Sequence, residues 1–113
     1  MDRPKRALII RQPFAEQILR GTKTVEYRTR PTKVRERVYI YASKTPASDQ
    51  RFADMGARPG DFPVGFLVGT VEITDCTGEP GDYQWRLASP ERLPELLKPQ
   101  NRPQPAWFFP FKD

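Results

Sequence analysis

Thirteen prolines are spread through the 113 residues, and no other feature restricts the fold as much. Proline holds φ near about −65° and supplies no backbone N–H, so it breaks helix interiors and central strands alike. A chain punctuated this densely folds into short strands, short helices and loops rather than a helical bundle. The length suits one domain, 1–113, with one core and no room for a large cofactor fold.

Between the breaks the pattern is readable. Ala7-Leu8-Ile9-Ile10 predicts a short buried strand. Pro13 opens a helix over 13–20, where its missing N–H costs nothing. Phe14, Ala15, Ile18 and Leu19 share its apolar face, with Glu16, Gln17 and Arg20 on the other. Gly21 ends it, where a left-handed residue is wanted. Thr24 to Arg28 predicts a strand with Val25 and Tyr27 on one side, Glu26 and Arg28 on the other. Val34 to Ser43 reads as the longest strand, carrying Val34, Val38, Ile40 and Ala42 on one face and Arg35, Arg37, Tyr39 and Tyr41 on the opposite face.

Further on, a short helix is expected over Asp49 to Met55 and a turn at Arg58-Pro59-Gly60-Asp61. Val64 to Thr74 reads as a strand with Leu67, Val71 and Ile73 as its apolar face, bent at Gly65 and Gly69. Tyr83 and Trp85 fall in a polar loop, which makes Trp85 a candidate stacking residue. Ser89-Pro90-Glu91 has the form of a helix start. Ala106 to Phe111 is aromatic and β-prone, suited to core or barrel closure, with Pro110 confining its end to a sheet edge. These elements imply an α+β domain, a small mixed or antiparallel barrel of five or six strands with short helices at its openings.

Composition excludes several chemistries. There is no His, and Cys76 is the single cysteine. An internal disulfide, a structural zinc site and any imidazole-based triad are therefore not expected. No cofactor or metal is expected. No apolar run approaches a membrane span or a signal peptide, so the expected partners do not include a membrane, and the expected location is cytoplasmic. A monomer or weak dimer is expected. The net charge of +5 is lopsided: residues 1–44 carry 12 Lys and Arg against 4 Asp and Glu, and residues 45–113 carry 7 against 10. A basic half of this kind suits a polyanion such as a nucleic acid, and equally a generic solubilising surface.

The densest cluster is Arg11-Gln12-Pro13-Phe14-Ala15, followed by Gly21, Lys23, Glu26 and Arg28 in the pattern G-x-K-x-x-E-x-R. Here the chain resembles the ASCH family, named for its occurrence in a transcriptional coactivator. The resemblance covers residues 7–44, with Tyr41-Ala42-Ser43-Lys44 ending the next strand, and extends to Val68-Gly69-Thr70-Val71. It implies a PUA-like barrel with a cleft between the first helix and the barrel, able to accept RNA or a modified nucleoside. The candidate binding residues are Arg11, Lys23, Glu26, Arg28, Arg35, Arg37, Ser43 and Lys44.

Two roles are open for Glu26. With Lys23 and Arg28 it could orient phosphate or carbonyl groups and accept from a base N–H, or it could pair with them structurally. The Arg35, Arg37, Tyr39, Tyr41 face has two readings as well, a phosphate track with base-stacking rings, or tyrosines packed beneath a helix with the arginines solvated. An enzyme is the alternative function. The resemblance extends to small bacterial members that act as amidohydrolases on acetylcytidine, or as single-strand ribonucleases. In the amidohydrolases a Thr nucleophile lies three residues after the motif Lys. That position is Glu26 here, and a carboxylate does not replace a hydroxyl nucleophile. A ribonuclease would draw on Lys23 and Glu26 as acid and base.

Overall fold

The five β-prone runs become strands, a sixth strand forms over residues read as a loop and a helix start, and the two helical runs become helices. The computed structural model describes residues 3–112, in the order β1 (Ala7–Ile10), α1 (Phe14–Arg20), β2 (Val25–Arg28), β3 (Arg37–Ala42), α2 (Asp49–Ala53), β4 (Phe66–Glu79), β5 (Asp82–Leu97) and β6 (Trp107–Phe108). They form one sheet in the order β2-β5-β4-β3-β1-β6. β1 and β3 are parallel and the other pairs are antiparallel.

The sheet curls until its two ends meet. β2 and β6 lie at opposite ends of the strand order. Even so, Arg28 on β2 donates from Nη2 to the Ile9 carbonyl on β1 at 2.8 Å. Trp85 on β5 stacks on Trp107 on β6, with ring centroids 5.6 Å apart. Side chains, not a backbone ladder, therefore close this PUA-like half-barrel along one seam. The core inside it gathers Leu8, Ile10, Ala15, Ile18, Val38, Ile40, Val71, Ile73 and Trp85.

Helix α1 covers one opening. Gly21 ends it at φ +79°, as glycine permits. At its start, the buried Gln12 side chain accepts from the Glu16 N–H at 3.0 Å and donates to the Pro63 carbonyl at 2.9 Å. The helix rests closely on β4 because residue 69 has no side chain. A Cβ there would lie 2.6 Å from the Glu91 carbonyl oxygen and would collide with Leu19.

Several sequence expectations need correction. Glu16, expected on the solvent face, is buried at 6% exposure. Its carboxylate takes two hydrogen bonds from Arg92 on β5, at 2.9 and 3.0 Å, and one from Arg20 at 2.7 Å. A partner 76 residues away makes that burial tolerable, and helical periodicity carries no sign of it. No helix starts at Ser89, because β5 runs on to Leu97. β2 pairs with residues 83–86 of β5 and the Leu87 N–H still donates to the Thr24 carbonyl at 2.9 Å, so it is beyond Leu87 that this side of β5 has no β2 partner. Pro90 falls within one register shift against β4 and Pro94 within a second, between Arg92 and Leu97.

β4 corrects a second expectation. Its register slips at Val68, so Leu67 joins the outer cluster while Val68, Val71 and Ile73 face the inner core. β3 is six residues long, shorter than β4 and β5, and Val34 and Arg35 lie outside it. Tyr39 and Tyr41 are buried in the outer cluster against Phe108, Phe111 and Leu67, with edge-on ring contacts. Their rings are packed against the protein's own side chains. Trp85 is likewise interior, 3% exposed, with its indole N–H donated to the Arg30 carbonyl at 3.0 Å.

The Glu16 pair gives an acid limb to stability. Burial pushes the Glu16 carboxyl up, but hydrogen bonds from Arg92 and Arg20 outweigh it and hold the group below its ordinary value of about 4.5. Its contribution is complete above that ordinary value and is lost as pH falls through the lower folded one. Arg92 is half exposed, which screens the pair. Glu16→Gln should therefore cost about 1 kcal/mol at neutral pH. The wild-type advantage should vanish in acid-range urea titrations. A variant gap that persists at pH 2 would contradict this.

Candidate functional site

The motif residues meet at the seam. Gly21 turns the chain out of α1, Lys23 follows in the turn, and β2 then presents Glu26 and Arg28 on its inward side. Glu26 is 9% exposed. Its Oε2 accepts from Arg28 Nε at 2.8 Å, and its Oε1 lies 3.5 Å from Lys23 Nζ. The Arg28 guanidinium is anchored twice, on Glu26 and on the Ile9 carbonyl, and it lies over the Trp85 ring at 5.5 Å. Lys23 sits between the rings of Phe14 and Tyr27, 5.2 and 5.4 Å from their centroids. Tyr27 itself is 64% exposed beside it.

A cleft of about 410 Å³ opens over this pair, lined by Arg11, Phe14, Glu26, Arg28 and Ser43, with Pro105 and Ala106 on the far wall. Arg11 follows β1 and Ser43 follows β3, so the parallel pairing of those strands brings both to the same end of the sheet. Lys44 lines the adjoining depression, which shares Ile9, Ser43 and Pro105 with the cleft.

Arg35 and Arg37 are not brought there. Arg35 is held by the Thr32 and Val34 carbonyls at 2.8 and 2.9 Å. Arg37 begins β3, at the end of the strand opposite Ser43, and donates to Thr70 Oγ1 at 2.9 Å with Glu72 and Glu91 at 4.0 Å. Among the described residues, no group of three or more His, Cys, Asp or Glu is placed to hold a metal ion. Among the same residues, no helix is long and apolar enough to cross a membrane.

Sequence reasoning missed Phe14 as a cleft wall and the whole of the Pro105–Ala106 side. Phe14 reads as ordinary helix apolarity. Residues 105–106 reach the cleft only because β6 pairs antiparallel with β1, a contact no local pattern announces.

Residues 8–101 match the family model of the ASCH domain. Activating signal cointegrator 1 of Homo sapiens is 32% identical over 83 residues, 64% of this chain, and the Mus musculus protein of that name matches to the same extent. The chain spans 14% of the length of these curated relatives. A match over most of the chain, including Gly21, Lys23, Glu26 and Arg28, identifies it as a member of the ASCH domain family.

Proposed function

We propose that this domain binds single-stranded RNA, taking one nucleotide into the seam cleft. The observation that carries the reading is the Glu26 carboxylate held between Lys23 and Arg28 beneath an open cleft. Arg11, Lys23 and Arg28 supply cationic donors for phosphate or carbonyl oxygens. Glu26 supplies a carboxylate acceptor for a base N–H, and the Phe14 ring an apolar wall. Ser43 and Lys44 complete the polar rim. A cleft of this size falls in the range that holds small ligands, about 300–1,000 Å³. Arg35 and Arg37, already satisfied by the protein at the other end of β3, are left out of the site.

Binding is favoured over turnover. Both carboxylate oxygens of Glu26 are engaged by cations, which suits a positioning group better than a proton-accepting base. The test is a titration against single-stranded RNA, duplex RNA, DNA and modified nucleosides, with chromatography of the RNA afterwards. Single-stranded RNA is expected to bind best and to remain intact. Three phosphate contacts would give a log–log salt slope near about −2. Affinity indifferent to salt would overturn the reading, and shortened or deacylated products would replace it with a hydrolase.

A further inference from the structure

The cleft does not end at its rim. The depression beside it holds Lys44 and Arg102, and the next shares Lys44 and Arg102 and adds Lys98 and Asn101. A third shares Arg102 and Asn101 and reaches Phe109. The last, about 670 Å³, lies on the other side of Phe109 among Arg3, Lys5 and Lys112. Successive depressions share lining residues, so they lie side by side from Glu26 across the β6 edge to the N-terminal segment, and we read the row as one groove.

Outside the cleft its charge is cationic. Among the described residues, every charged side chain lining the four depressions beyond the cleft is a lysine or an arginine, with Arg6 also paired to Glu36 at 3.3 Å. Phe109 is 58% exposed on the ridge between the last two, although Phe108 and Pro110 on either side of it are buried. An exposed ring lodged between buried neighbours, with Arg6 5.6 Å from its centroid, is a stacking platform bordered by cations. The groove wall is also pre-shaped. Residues 99–103 fold back on the C-terminal segment through hydrogen bonds from Gln100 and Asn101 N–H to the Pro110 carbonyl, at 2.7 and 3.1 Å, and from Asn101 Nδ2 to the Phe109 carbonyl at 2.8 Å. Little ordering remains for a ligand to impose.

We infer that this groove is a track for the strand flanking the bound nucleotide, with phosphates following Lys44, Arg102 and Lys112 and a base stacked on Phe109. The occupant is therefore a single-stranded oligonucleotide of several residues. This rests on the RNA-binding reading of the cleft and extends it from one nucleotide to a strand.

The test compares an eight-residue single-stranded RNA with a mononucleotide, on wild type, Phe109→Ala, Arg102→Gln and Lys23→Ala. Both track side chains are exposed, and circular dichroism checks that each variant is folded. Phe109→Ala is expected to weaken the oligonucleotide about tenfold, the scale of one lost stacking contact, and to leave mononucleotide affinity unchanged. Arg102→Gln should flatten the salt slope for the oligonucleotide by about 0.7. If the oligonucleotide binds wild type and Phe109→Ala equally well, the track is overturned while the cleft stands. If Phe109→Ala weakens the oligonucleotide and Lys23→Ala does not, the track stands and the cleft reading fails. Failure of wild type to bind the oligonucleotide overturns both. Equal affinity for a polyglutamate peptide, which offers charge without bases, overturns the track as well.

Discussion

Replacing Trp85 with alanine should lower the unfolding free energy by about 3–5 kcal/mol, the range for deleting a buried aromatic. Three contacts go at once. Trp85 is a member of the inner core, stacks on Trp107 across the seam at 5.6 Å, and donates its indole N–H to the Arg30 carbonyl. Burial exceeds what most domains can lose easily, since total stability is about 5–15 kcal/mol. The midpoint should fall by about 10–20 °C. Tyr27→Ala is the control: that ring is 64% exposed, and its loss should stay within about 0.5 kcal/mol. Urea unfolding followed by circular dichroism separates the two. A Trp85 variant within 1 kcal/mol of wild type would mean that the seam is not closed by this stack.

Lys23→Ala should have the opposite profile, a large loss of RNA affinity with the fold preserved. Lys23 makes one ion pair to Glu26 at 3.5 Å and packs between two rings. Both side chains are largely buried, but Glu26 keeps its 2.8 Å partner Arg28 when Lys23 is removed, so no carboxylate is left unpaired and the stability loss should stay near about 1 kcal/mol. A charge-assisted contact to a ligand phosphate is worth about 1.5–3 kcal/mol, or roughly 10–100-fold in Kd. Fluorescence anisotropy with a labelled single-stranded RNA reads the affinity, and thermal unfolding reads the stability. Equal affinities for variant and wild type would remove Lys23 from the site.

The first half of the chain was largely legible, because its signals are local. Pro13, the apolar face of α1 and Gly21 bound the helix within a residue, and the spacing of Lys23, Glu26 and Arg28 announced a polar cluster. The second half was not, because its order comes from distant partners. β5 carries Ser89, Pro90 and Pro94, which argue against a strand in isolation. They are accommodated only where β2 has ended and β4 has slipped register. The parity of β4 misled for the same reason, since one extra residue at Val68 exchanges inside for outside. Glu16 gave no warning of Arg92. The cleft itself was half legible: Arg11, Glu26, Arg28 and Ser43 came from the motif region, whereas Pro105 and Ala106 came from a segment whose role depends on the β1–β6 pairing.

The most direct test of the cleft is a map of backbone amide shifts in isotopically labelled protein titrated with single-stranded RNA. The largest shifts are expected at Arg11, Phe14, Lys23, Glu26, Arg28 and Ser43, which line or border one cleft. Shifts centred instead on Arg35, Arg37 and Glu72, at the far end of β3, with the seam residues unmoved, would contradict it.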